Sequence, residues 1–168
     1  MFERLTNPKS PVLVVFGMLL FGMIVIAGCI IPQQTSSKLP KDLEIRYSHG
    51  ACKAEWGRTI TIITADGNGI YESGKGSFDN ERFEKEEFRK TFKLNESQLL
   101  TLLNSIEKSG FYSLDDYYSN TEIFEGACSS IFVTKNNITK SVAVSNTNPP
   151  EAYSKVADLI SEKTKNLE

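Results

Sequence analysis

Histidine occurs once and cysteine three times in the 168 residues, too few soft ligands for a Cys/His metal centre. No glycine-rich phosphate loop is present either, which removes the common nucleotide-binding motifs. Charge of one sign is also missing. The 19 Lys and Arg are interleaved with 21 Asp and Glu, for a formal charge of -2, so there is neither a basic nucleic-acid footprint nor an acidic tail. His49 lies close to Cys52, but neighbours in an extended segment point to opposite sides and no third group orients the pair. His49 is therefore read as a loop residue beside a bridge. Catalytic residues, metal ligands and cofactors are all expected to be absent. What the chain does have is 40% hydrophobic and 10% aromatic residues, enough for one packed domain with an appendage.

The appendage is N-terminal. Arg4 and Lys9 precede an almost unbroken apolar run from Val12 to Ala27, so residues 1–28 read as a signal peptide. The run closes on Ile26-Ala27-Gly28-Cys29, which resembles the lipobox of prokaryotic lipoproteins. That resemblance implies cleavage before Cys29 and attachment of lipid to its thiol. The alternative is an uncleaved anchor to residue 31, because Pro11 to Ile31 supplies 21 residues and about 20 span a bilayer. Basic residues before the run keep the N-terminus inside in both cases, so the domain faces the extracytoplasmic side of the cell membrane. Residues 29–41, with Pro32, Gln33, Gln34, Thr35, Ser36, Ser37 and Pro40, form a polar tether, and a single globular domain is expected over 42–168.

With Cys29 consumed by lipid, Cys52 and Cys128 remain as an even pair in a disulfide-permissive compartment, and a bridge between them is expected. Two sequons, Asn95-Glu96-Ser97 and Asn137-Ile138-Thr139, matter only in a host that glycosylates exported proteins.

Leu43-Glu44-Ile45-Arg46-Tyr47 alternates apolar and polar residues. So do Thr59 to Ile62 and Ile70-Tyr71, around Asp66-Gly67-Asn68-Gly69, which predicts a hairpin with strands over about 58–65 and 69–78. Phe88 to Leu94 predicts one further strand. Leu99, Leu102, Leu103 and Ile106 recur at helical spacing, so a helix is expected over 95–109, ended by Gly110. A second hairpin is expected over 127–135 and 138–145 around Asn136-Asn137. A second helix should follow Pro149-Pro150, with Ala152, Tyr153, Val156, Leu159 and Ile160 as its buried stripe. The fold class is α+β: an antiparallel sheet of two hairpins plus an extra strand, with two helices packed on one face. Gly50-Ala51-Cys52 and Gly126-Ala127-Cys128 hint at a duplication.

Between Asp79 and Lys93 acidic and basic residues balance, which suits a solvated edge strand. Asp115, Asp116, Glu122 and Glu125 lack the spacing of a calcium loop. The aromatics Trp56, Tyr112, Tyr117, Tyr118 and Phe124 are candidate partner-binding residues, since large stiff side chains dominate binding energy when exposed. The proposed bridge would draw their two loops, 50–57 and 113–126, into one patch directed away from the membrane.

The series running through Gly50-Ala51-Cys52, the Asp66-Gly67 hairpin, Leu94 to Leu103, Gly110-Phe111, Tyr117-Tyr118 and Pro149-Pro150 resembles small exported lipoprotein domains of unknown function. It is also similar to emfourin, a small inhibitor of thermolysin-type metalloproteases, although Ser48 to Cys52 stands where the inhibitor carries a glycine pair. With no nucleophile-base pair, metal cluster or phosphate loop, and with an anchor and tether, the expected function is a non-enzymatic, membrane-anchored binding module; the resemblance implies that its partner is an exported protein such as a protease. A structural envelope protein is the alternative, and a hydrolase a more distant one.

Overall fold

Asp66-Gly67 turns the chain because of what each residue supplies. The Asp66 carboxylate accepts bonds from the Thr64 hydroxyl and the Asn68 amide. Gly67 sits at φ 80°, where a Cβ would also collide with the carbonyl oxygen of Leu94. The computed structural model describes residues 38–53, 57–76, 83–123 and 126–166. The signal segment, Cys29, the tether through residue 37, Trp56 and Phe124 lie outside them.

The elements are β1 (Glu44–Ala51), β2 (Arg58–Thr64), β3 (Asn68–Lys75), β4 (Lys85–Lys93), α1 (Glu96–Lys108), a short 3-10 turn (Phe111–Ser113), β5 (Tyr117–Ser119), β6 (Ala127–Lys135), β7 (Ile138–Ser145) and α2 (Glu151–Thr164). They build one seven-stranded sheet in the order β4-β3-β2-β1-β6-β7-β5. The α+β class stands, but the sheet is mixed rather than purely antiparallel, and it holds more than two hairpins and one strand. β1 lies at its centre and joins β2 to β6, while β5 pairs in parallel with β7. The parallel pairing follows from chain direction. β6 must start at the end of the sheet where β7 finishes, so the segment that delivers the chain there runs alongside β7 in the same sense.

Register decides which side chains meet the helices. Ile45 is flanked by Ile63 and Val133, and Ile131 by Val142, and these join Leu99, Leu102, Leu103 and Ile106 of α1 and Tyr153, Val156 and Ile160 of α2 in one core. α1 opens with a capping box, in which the Asn95 side chain accepts from the Gln98 amide and Gln98 accepts from the Asn95 amide. The Asn95 of the first sequon is thus occupied as a helix cap. The repeated Gly-Ala-Cys tripeptide lies on facing rungs, with Gly50 opposite Cys128 and Ala51 opposite Ala127. The two tripeptides thus face each other across the antiparallel β1–β6 ladder.

At the opposite end of β1 the Asp42 carboxylate accepts from the backbone amides of Asn136 and Asn137, both at positive φ in the β6–β7 turn. The bond from the Asn137 amide above all, opposed by burial and supported by the Asn136 amide, holds the Asp42 carboxyl below its ordinary 3.8. A depressed folded-state value means stabilisation that is full above 3.8 and lost as pH falls through the lower folded-state value. The gap in urea midpoint between the wild type and Asp42→Asn is expected to narrow as pH falls from about 7 to about 3. A gap that stays constant would show that the charge of Asp42 plays no part.

Candidate functional site

Cys52 and Cys128 are bridged, with their Cα atoms 4.8 Å apart. Their surroundings clasp the two loops that flank them. The Cys52 amide donates to the Gly126 carbonyl at 3.0 Å, and the Asn146 amide donates to the Ala127 carbonyl at 2.9 Å. The Asn146 side chain donates to the Ile123 carbonyl at 2.8 Å while its oxygen lies 3.2 Å from the Cys52 sulfur. A Cβ on Gly126 would strike that same oxygen, so a larger residue there would push the Asn146 side chain out of the clasp. Neither cysteine carries a thiol.

Of the aromatic candidates, Tyr117 and Tyr118 sit on β5 beside Ala143 and Val144, close to the bridge. Tyr117 is 61% exposed. Tyr118 packs partly against the core, and its hydroxyl accepts from the Asp115 amide at 3.0 Å. Tyr112 is not brought to this end. It stacks edge-on against Phe111 under the Lys135 ammonium, 4.5 Å away, near the far end of β6. Burial raises the Tyr112 hydroxyl pKa. Burial alone would lower Lys135, but the bond to Glu107 and the neighbouring Tyr112 raise it overall. Ile123, 45% exposed in the clasped loop, went unnoticed in the sequence, where a lone isoleucine among polar residues carries no signal.

Asp116 is tied to Lys140 at 2.7 Å, and Lys140 also donates to the Leu114 carbonyl. Among the described residues no three His, Cys, Asp or Glu side chains converge on a point where a metal could bind. Nor is any described helix long and apolar enough to cross a membrane.

A cleft of about 450 Å³ opens between the C-terminal half of α2 and β1, β2 and β3. Its floor follows from register: Tyr47, Thr61 and Tyr71 lie abreast on three strands, and His49, Thr59 and Ser73 form the next row. Small hydroxyl side chains on β2 thus separate aromatic rings on its neighbours. Asp158, Ser161 and Glu162 of α2 form the facing wall. Tyr47 and His49 stack with ring centres 5.2 Å apart, and Tyr71 meets Phe88 of β4 edge-on at 6.1 Å. Burial first, and the Asp158 charge second, raise the Tyr47 hydroxyl pKa, so it stays a neutral hydrogen-bonding group. His49 is a strand residue of β1, correcting its reading as a loop histidine. A second depression on the helix-free face is lined by Arg46, Ile60, Ile62 and Phe83, but its charged groups answer one another, Arg89 reaching Glu72 at 3.1 Å.

Residues 68–163, more than half of the chain, match the model of a domain of unknown function, DUF6438. The chain belongs to the DUF6438 family. No curated protein matches it. The DUF6438 match starts at β3 and ends within α2, so it takes in Cys128, Tyr117, Tyr118 and the Asp158 to Glu162 wall, while Tyr47 and His49 of β1, and Cys52 just after it, precede the match.

Proposed function

We propose that this DUF6438 protein is a non-enzymatic binding module, held by lipid on Cys29 at the outer face of the cell membrane, that grips an exported protein with the disulfide-clasped end of its sheet. The observation that carries this reading is polarity along β1. The chain reaches the domain through Lys38 to Asp42 at one end of that strand, and the Cys52–Cys128 clasp lies at the other, about 25 Å away for eight extended residues. A domain tethered through its N-terminus presents the clasp distally. Ile123, held by Asn146, and Tyr117, two rungs short of the bridge, are exposed side chains in that half of the sheet, and the bridge limits the ordering cost of docking them. The similarity to emfourin makes an exported metalloprotease the first partner to test.

A photo-crosslinking residue at position 117 or 123 of the membrane-bound chain is expected to capture one exported protein. The same residue at Ile138, 71% exposed but at the tethered end, should not. Capture from position 138 alone would reverse the proposed orientation and defeat the reading. Cys29→Ser is expected to abolish incorporation of a lipid label and leave uncleaved precursor. A wild-type chain that takes no label and retains residues 1–28 by mass spectrometry is held by an uncleaved anchor instead.

A further inference from the structure

We propose that the cleft between α2 and strands β1 to β3 binds a neutral pyranose ring of a glycan. The first argument is a reversed pattern on β2. Over its first part this strand turns Thr59 and Thr61 towards the helix side and Ile60 and Ile62 away from it, and only at Ile63 does its helix side return to the core. Thr61 is buried, yet it forms part of the cleft floor. Two strand spacings separate Tyr47 from Tyr71, about 10 Å, so the hydroxyl floor between them is a trough about the width of one sugar ring.

The second argument is chemical. A pyranose presents C–H groups on its faces and hydroxyls around its rim. The exposed His49 ring, backed by Tyr47 in the stack, offers an aromatic face for the first, and Asp158 and Thr61 offer an acceptor and a hydroxyl for the second, beside the Ser161–Tyr47 hydrogen bond. The volume lies within the range of small-ligand sites. Asp158 and Glu162 face Lys165 alone among the lining cations, which disfavours a phosphate or other anionic ligand. The mixture of rings and polar groups equally disfavours a purely apolar one.

The test uses the full chain in a detergent without a sugar headgroup, titrated with cellobiose and with N,N′-diacetylchitobiose while amide resonances are followed. At least one disaccharide is expected to saturate with Kd on the order of 1 mM, shifting residues 47, 49, 61, 71, 158 and 161. Asp158→Asn and His49→Ala, both at exposed positions, are each expected to weaken binding about tenfold without lowering the thermal midpoint. Lack of saturation by either probe up to about 20 mM overturns the proposal, as does saturation that both variants retain. If one variant unfolds, the other still decides. Crosslinking from positions 117 and 123 should survive both substitutions, so this site and the distal docking end fail or stand separately.

Discussion

Replacing Cys52 and Cys128 together with serine is expected to destabilise the domain by about 3–4.5 kcal/mol and to lower its thermal midpoint by about 10–20 °C. The bridge spans a sequence separation of 76, and the chain-entropy account assigns about 4.5 kcal/mol to restraining an unfolded loop of that size. The native side of the balance changes little. The Cys52 amide keeps its bond to Gly126, and the Ser145 hydroxyl, 3.4 Å from the Cys128 sulfur, can meet a serine oxygen instead. Urea unfolding of the double variant, beside wild type unfolded under reducing conditions, measures the effect. The two should agree within about 1 kcal/mol, because both remove the same covalent restraint. A loss below about 1 kcal/mol would mean that the unfolded chain is already held compact over this stretch.

Where a turn or cap announced itself locally, the sequence was legible. Asp66-Gly67 and Asn136-Asn137 supplied positive φ, and the strands around them run over 58–64, 68–75, 127–135 and 138–145, within a few residues of the expected limits. α1 was legible because Leu99, Leu102, Leu103 and Ile106 recur at helical spacing, and all four are buried; its Asn95 cap was found in the structure. β1 was half legible. Its alternation was visible, but its two partners are set by long-range register, and Val133 lies far along the chain from Ile45. β5, with three residues, is too short to show any period, so the parallel edge was missed.

The cysteine pair could be inferred by counting, because two remain once Cys29 is set aside, and the structure bridges them. The cleft could not. Its rings come from β1 and β3, its hydroxyls from β2 and its carboxylates from α2, so no window of sequence holds more than a fragment. Thr59 and Thr61 are favourable strand residues wherever they fall, and only the pairing register shows that they face the helices. Tyr112 shows the reverse error of scale. Adjacent in sequence to the docking loop, it is carried to the far end of β6 because Phe111 inserts into the core and fixes the turn.

Ile45→Ala is expected to destabilise the domain by about 3–5 kcal/mol, the largest effect of any single truncation considered. Ile45 is fully buried near the start of the central strand β1, with Ile63 on one side and Val133 on the other, in the core that both helices cover. Removing three carbons there deletes contacts to two strands and leaves a cavity that rigid neighbours in a sheet cannot collapse to fill. Phe132→Ala supplies the control. It removes a larger side chain from the helix-free face, where Phe132 is 37% exposed, and should cost about 1 kcal/mol or less. The contrast tests which face of the sheet is buried, because β1 and β6 are both internal strands and only Ile45 belongs to the face that the helices cover. Equal losses for the two variants, measured by urea unfolding, would mean that the helix side of the sheet is no better packed at this point than the opposite face.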